Sequence, residues 1–210
     1  MVMIITYQGV QSFKVQFGDT VLAFDPVSKE SKHKAGSFGA DIALCSLNHP
    51  DMNGVEQASR GEKKAFAVSG PGEYEIQGVF IKGLPSISKY GGESEKINTI
   101  YTVNLENMNL CFLGALGDTN IPKETKEALE DIDILFAPIG GTGVLNAAES
   151  YKFAVSLEPS IIIPMNFDEK SLKAFIKEGG EEGVESLEKL TVKKKDLEGK
   201  KGEIIVLESQ

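Results

Sequence analysis

The sequence predicts an α/β protein in which sheets are covered by helices. Up to about residue 113, short alternating or apolar runs are separated by Gly, Pro and Asp turn signals. From residue 121 onward, helical periodicity alternates with apolar strands. The 210 residues, 41% apolar and 25% charged, are enough to bury a core without disulfides or metal.

The elements follow in order. Residues 2–7 (Val-Met-Ile-Ile-Thr-Tyr) read as a strand, and Gln8-Gly9 turns the chain into Ser12–Phe17. Gly18-Asp19 is a hairpin signal, and the return strand Thr20–Phe24 is closed by Asp25-Pro26. Residues 28–39 are polar and read as a loop. Asp41 to Ser46 is a short buried strand that runs into Asn48-His49-Pro50-Asp51. A short helix is expected near 53–59, then strands at 65–69, 72–77, 78–83, 97–105 and 109–113, with turns at Gly70-Pro71-Gly72 and Gly91-Gly92. Pro122 to Asp131 has helical composition, with Pro in the first turn. Ile132–Pro138 is a strand, and Asn146–Leu157 is a helix whose apolar positions (Ala147, Ala148, Tyr151, Ala154, Val155) keep the 3.6 period. Residues 160–165 form a strand, Asp168–Lys177 a helix and Gly202–Glu208 a last strand. Without a linker or repeat, residues 1–210 are expected to form a single domain.

Charge narrows the partners. The formal net charge is −9 and the pI about 4.9, whereas a phosphate-binding surface shows clustered Lys and Arg. The one dense basic run, Lys193-Lys194-Lys195, reads as a solvated turn between terminal strands, so no nucleic acid is expected. Cys45 and Cys111 each lie in an apolar run and read as buried thiols. There is no apolar stretch of the ~20 residues that a membrane span needs and no charged leader, so a cytoplasmic location off the membrane is expected.

Several ordered landmarks go further: Ile5 to Phe13 with its Gly9-Val10 pair, Asp25-Pro26, Gly70-Pro71-Gly72-Glu73-Tyr74-Glu75, Pro138-Ile139-Gly140-Gly141, and Ile163-Pro164-Met165-Asn166-Phe167. In this order and spacing the chain resembles the metallo-β-lactamase superfamily, especially the branch of ascorbate-phosphate lactonase and small predicted Zn-dependent hydrolases. The resemblance implies an αββα four-layer sandwich, two central sheets flanked by helices, with a metal site at one edge.

It also implies where ligands belong. The family segment Thr-His-x-His-x-Asp-His aligns with Ser46-Leu47-Asn48-His49-Pro50-Asp51-Met52, so Leu47 and Met52 stand at two His positions. A His-Leu-Gly-Asp-Leu-Gly-His segment aligns with Phe112 to Asp118, placing Phe112 at a His and Ala115 at the bridging Asp. In a second register, Gly117-Asp118-Thr119 offers Asp118 as the bridging carboxylate. Asn166 stands at the His of Pro-Met-His, and Val10 at a further His. Leu and Phe coordinate nothing, and thioether and amide groups are poor ligands for zinc or manganese. Since His33 and His49 are the only histidines, a dinuclear site of the family type cannot be assembled.

Two functional readings stay open. One is a catalytically inactive member that keeps the scaffold for binding, with a small-molecule ligand and no metal cofactor. The other is an altered hydrolase of lactones or phosphoesters, with His49, Asp51 and Asp118 holding one Zn or Mn ion, or with His49 and Asp51 working without metal. At the residue level, His49 is either a residual ligand or base, or a strand-end residue bonded to Asp51 or backbone. Asp51 is a ligand or base, or the cap of a following helix. Asp118 is a ligand or part of a turn. Gly140-Gly141-Thr142-Gly143 does not fit a phosphate-loop pattern and reads as a fold loop.

Overall fold

The computed structural model describes residues 2–34, 36–181 and 183–210. Two large sheets face each other. The first takes β1 (Met3–Gly9), β2 (Ser12–Phe17), β3 (Thr20–Phe24), β4 (Ile42–Leu44) and β5 (Phe66–Val68). The second takes β6 (Gly72–Ile76), β7 (Val79–Ser88), β8 (Lys96–Leu105) and β9 (Met108–Phe112). After α1 (Lys123–Glu127) it continues with β10 (Ile134–Pro138), and after α2 (Ala147–Ser156) with β11 (Ile161–Met165). The chain ends with α3 (Glu169–Glu178), β12 (Ser186–Leu187), β13 (Leu190–Val192), β14 (Glu203–Ile204) and β15 (Val206–Leu207). β13 extends the first sheet beside β1, and β14 closes the second beside β11. This is the metallo-β-lactamase sandwich expected from the sequence.

Alternation explains the first sheet. Met3, Ile5, Phe13, Val15, Leu22 and Phe24 all point inward, while their neighbours along β1 and β2, apart from buried Ser12, are half exposed. β10 and β11 lie parallel between other strands and are buried on both faces, which is why they read as unbroken apolar runs. Between the sheets, Phe24 meets Phe112 at 4.9 Å between ring centroids, and Phe13 meets Phe136 at 4.8 Å. Each such fully buried ring contributes roughly 1.5–3 kcal/mol. Phe112 is thus a central core residue.

A second core lies on the outer face of the second sheet, where Ile100, Cys111, Leu135 and Ile162 meet Phe153 of α2 and Phe175 of α3. Both longer helices start at capping boxes, Asn146 with Glu149 and Asp168 with Ser171. The outer face of the first sheet is covered differently. Ala23, Ala40, Ala43 and Ala58 pack under irregular chain, with Phe38 and Val55 against them.

Four local expectations change. No helix forms over 53–59, where the chain makes turns. The Gly54 N–H donates to Pro26 O at 2.7 Å, and a Cβ on Gly54 would lie 2.4 Å from the Ser28 nitrogen, so tight backbone contact replaces a helical turn. One outer layer of the sandwich is therefore non-helical. The helix at 122–131 shrinks to Lys123–Glu127, with Pro122 at its N-cap. The strand at 202–208 divides into β14 and β15 in different sheets. Lys193–Lys195 enters a short 3-10 helix, Lys194–Leu197, and the Lys194 ammonium grips both Asp133 oxygens, so the run is not a wholly solvated turn.

Candidate functional site

The site is built where several chain segments meet beyond the strand ends. After β4, the segment 46–52 is anchored by Asp25. One carboxylate oxygen accepts from Ser46 N and the other from Ser46 Oγ, both at 2.6 Å. After β9, Gly114 sits so close to Ser46 that a Cβ would approach to 2.4 Å. Buried Asn98 steadies this second segment: its amide nitrogen donates to Leu113 O at 3.0 Å and its oxygen accepts from Ala115 N at 2.8 Å.

Between these segments lies the space where the sequence resemblance puts the metal. Leu47, Met52 and Ala115 form one buried apolar cluster there with Val144, and Tyr90 packs against it. Three residues that the sequence resemblance aligns with ligand positions thus plug this space with hydrocarbon and a thioether. Phe112 is in the main core, and Asn166, after β11, lines an open cleft. Val10 lies at the β1–β2 turn, where its carbonyl accepts from the Tyr7 hydroxyl at 2.8 Å and from Asn166 N at 2.6 Å. Val10 and Asn166 both have left-handed backbones, φ 55 and φ 52. For a β-branched residue this is a strained conformation.

The cleft beside the plug has a volume of ≈ 690 Å³, and His33, His49, Asp51, Tyr90, Asn166 and Phe167 are among its lining residues. Asp51 is its polar hub. The Tyr90 hydroxyl donates to Asp51 Oδ2 at 2.8 Å, and the Ser31 hydroxyl donates to Oδ1. His49 Nδ1 lies 3.5 Å and His33 Nε2 3.9 Å from Oδ2. Burial works against the charged carboxylate, but the Ser31 and Tyr90 hydroxyls and then the two histidines outweigh it and hold the Asp51 pKa below the usual range. The Tyr90 hydroxyl is in turn raised, by burial first and by Asp51 next.

His49 is tied locally. Its Nδ1 accepts the Asp51 backbone N–H at 3.2 Å, which puts the proton of the neutral ring on Nε2. Nε2 faces Gly91, where a Cβ would come within 2.6 Å, and the ring meets Tyr90 edge-on. The strand-end reading of His49 describes this geometry. Asp51 caps no helix, since none follows; its acceptors go to hydroxyls across the cleft. Asp118 is exposed and accepts from Asn120 N at 2.8 Å, closing its own turn, and the cleft does not include it. The structure therefore joins His49 and Asp51 but leaves Asp118 out.

The donor set does not fit a dinuclear zinc or manganese centre. Among the described residues, no group of three or more His, Cys, Asp or Glu side chains is arranged to hold a metal ion. In the nearest such pair, His49 Nδ1 already accepts a backbone N–H and each Asp51 oxygen accepts a hydroxyl. Cys45 and Cys111 are free and buried, and burial pushes both thiols up, so neither is an activated nucleophile.

Sequence reasoning missed Ser31, His33 and Tyr90. Their role arises from loop packing, and only the residue types themselves, two hydroxyls and the second histidine of the chain, gave a hint. No helix among the described residues is long and apolar enough to cross a membrane.

Comparisons with known proteins agree with the architecture. A candidate Zn-dependent hydrolase of the metallo-β-lactamase superfamily from Thermotoga maritima is 24% identical, with 99% of this chain and 100% of that one covered at a TM-score of 0.79. A candidate metal-dependent hydrolase from Parabacteroides distasonis is 15% identical over 99% and 94% of the two chains, TM-score 0.69. A metallo hydrolase from Ignicoccus hospitalis is 14% identical over 92% and 99%, TM-score 0.67. At these identities the likeness establishes the fold. The family model of the β-lactamase superfamily domain matches residues 4–166, most of the chain and every lining residue of the cleft except Phe167 and Asp168. This chain belongs to the metallo-β-lactamase superfamily.

Proposed function

We propose that the chain is a non-hydrolytic member of its superfamily that keeps the cleft at the strand ends to bind a small molecule. The observation that carries this reading is the apolar cluster of Leu47, Met52, Ala115 and Val144 in the space between the β4 and β9 ends. A hydrolase of this class needs a metal to lower the pKa of a bound water or to polarise its substrate. Hydrocarbon and a thioether at three positions aligned with ligands supply neither function. The cleft above remains open and rich in hydrogen-bonding groups, as a ligand site requires. The two cysteines of the chain, Cys45 and Cys111, are unpaired, which suits a reducing compartment such as the cytoplasm.

The test is metal analysis of protein purified without chelators, together with turnover assays on phosphodiesters and lactones. The expected result is metal far below one equivalent and no turnover. Stoichiometric metal, lost together with turnover in His49→Ala, overturns the proposal.

A further inference from the structure

The two sides of the sandwich are closed unequally. At one side β13 and β14 end the sheets, and Leu197, Ile205 and Leu207 of the C-terminal segment pack into the core between them. At the other side β5 and β6 are the outermost strands, each paired on one flank only among the described residues. β4 and β5 run parallel in the register Ile42↔Phe66 and Leu44↔Val68, and Ile42, Leu44 and Val68 belong to the core between the sheets. Alternation puts Phe66 on that same inner side, yet it is 54% exposed. Tyr74 and Ile76 of β6 also pack against that core and are only half-buried. Three large apolar side chains on an inner face thus stay wet, which marks a surface that packing has left incomplete.

The charge of β6 decides what kind of chain completes it. Glu73 and Glu75 alternate with Tyr74 and Ile76 and are exposed. The adjoining groove of ≈ 340 Å³ is lined by Glu73, Glu130 and Asp131 against one lysine, Lys82, which lies 3.5 Å from Glu73. In an antiparallel pairing of two β6 strands centred on Tyr74, Glu73 of each copy would stand opposite Glu75 of the other. Like charges directly opposite are destabilising, so these glutamates keep the edge from pairing with itself. A strand that alternates basic and apolar residues satisfies both faces at once.

We propose that the open side takes an extended segment of a partner protein, alternating lysine or arginine with apolar residues, which adds to β6 as a new outer strand. Its basic side chains lie beside Glu73 and Glu75, and its apolar ones cover Phe66, Tyr74 and Ile76. Its backbone pairs with the β6 groups that point away from β7. The proposal is independent of what the cleft binds.

The probe is a fluorescein-labelled Lys-Val-Lys-Val-Lys-Val peptide, titrated by anisotropy against the full chain at about 0.15 M salt. A Lys-Lys-Lys-Val-Val-Val peptide of the same charge and a Glu-Val-Glu-Val-Glu-Val peptide are the controls. Two further probes carry N-methyl groups on all lysines or on all valines, because only one of these sets of N–H groups can face β6. Saturable binding of the alternating lysine peptide is expected, roughly tenfold weaker for both controls and lost with one N-methyl set but not the other. Glu73→Gln with Glu75→Gln, and separately Phe66→Ser, change exposed positions and should each weaken binding roughly fivefold or more. Absence of saturable binding, equal binding of the two lysine peptides, equal effects of the two N-methyl sets, or indifference to both variants overturns the proposal. A dimer in sedimentation that Phe66→Ser dissociates assigns the side to a second copy and overturns it too.

Discussion

Tyr90 donates its hydroxyl hydrogen to Asp51 Oδ2 across 2.8 Å, closing the loop after β7 onto the segment after β4. The same ring packs against the apolar cluster and meets His49 edge-on. One side chain therefore seals the plug below and supports the polar hub above.

Tyr90→Phe keeps the ring and removes the hydrogen bond. A hydrogen bond to a charged group contributes about 1.5–3 kcal/mol, and the part-buried setting of this one puts the expected loss at the lower end, about 1.5 kcal/mol in urea denaturation near pH 7. Acid behaviour should change as well. The Asp51 pKa is held down in the folded protein, so its contribution is present above the unfolded carboxylate range and fades as pH falls through the folded value. Losing one donor moves that folded value up, and the acid unfolding midpoint of the variant should rise.

Leu47 is 2% exposed within the plug. Leu47→Ala should cost about 2–5 kcal/mol through lost burial and a residual cavity. Incubation with EDTA should leave the melting curve of the unaltered protein in place. A chelator-induced fall in Tm would show that a metal, and not packing, ties the β4 and β9 ends together.

Asp25 titrates in the opposite sense to Asp51. Burial pushes its carboxyl up to about 8, against the Ser46 hydroxyl and N–H that favour the charged form. A carboxyl whose folded pKa is raised holds its proton in the folded state after the unfolded chain has lost it. Its stabilisation is full below the unfolded pKa near 4 and declines as pH rises toward 8, with a slope of up to about 1.4 kcal/mol per pH unit. Asp25→Asn preserves both contacts, since its oxygen accepts from Ser46 N and its nitrogen donates to Ser46 Oγ. Chemical denaturation from pH 5 to 8 should show a flatter dependence in this variant; an unchanged slope would assign the pH response elsewhere.

Val10 holds φ 55, a region that asparagine occupies with far less strain. Val10→Asn should stabilise the protein by about 1 kcal/mol, read as an increase in Tm. A decrease would mean that the half-buried isopropyl group packs more favourably than the backbone strain costs.

Much of this fold was legible because its strands obey simple periods. Alternation marked β1 and β2, unbroken apolar runs marked β10 and β11, and Gly18-Asp19 fixed the β2–β3 hairpin. The segment 53–59 was misread because Asp51, Asn53 and Gly54 look like a helix start. What prevents a helix is Gly54 pressed on the backbone of residues 27 and 28, a contact between chain segments that local composition cannot report. At the site, the histidine count limited the metal, but nothing in it shows that Leu47, Met52 and Ala115 meet Val144, some thirty residues past Ala115. Ser31 and His33 reach Asp51 from a loop with no periodicity, so their partnership exists only in three dimensions.

The uneven clothing of the two sheets has a consequence for motion. Helices hold the second sheet through large rings such as Phe153 and Phe175, whereas irregular chain rests on the first sheet over alanines. Peeling the alanine side exposes far less apolar surface than lifting a helix, so local opening there is the cheaper fluctuation. Residues 29–34, which bring Glu30, Ser31, Lys32 and His33 to the cleft, are largely exposed chain before this lightly held side. Entry to the cleft should thus be governed by breathing of residues 29–34, visible as early amide exchange while the helical side stays protected.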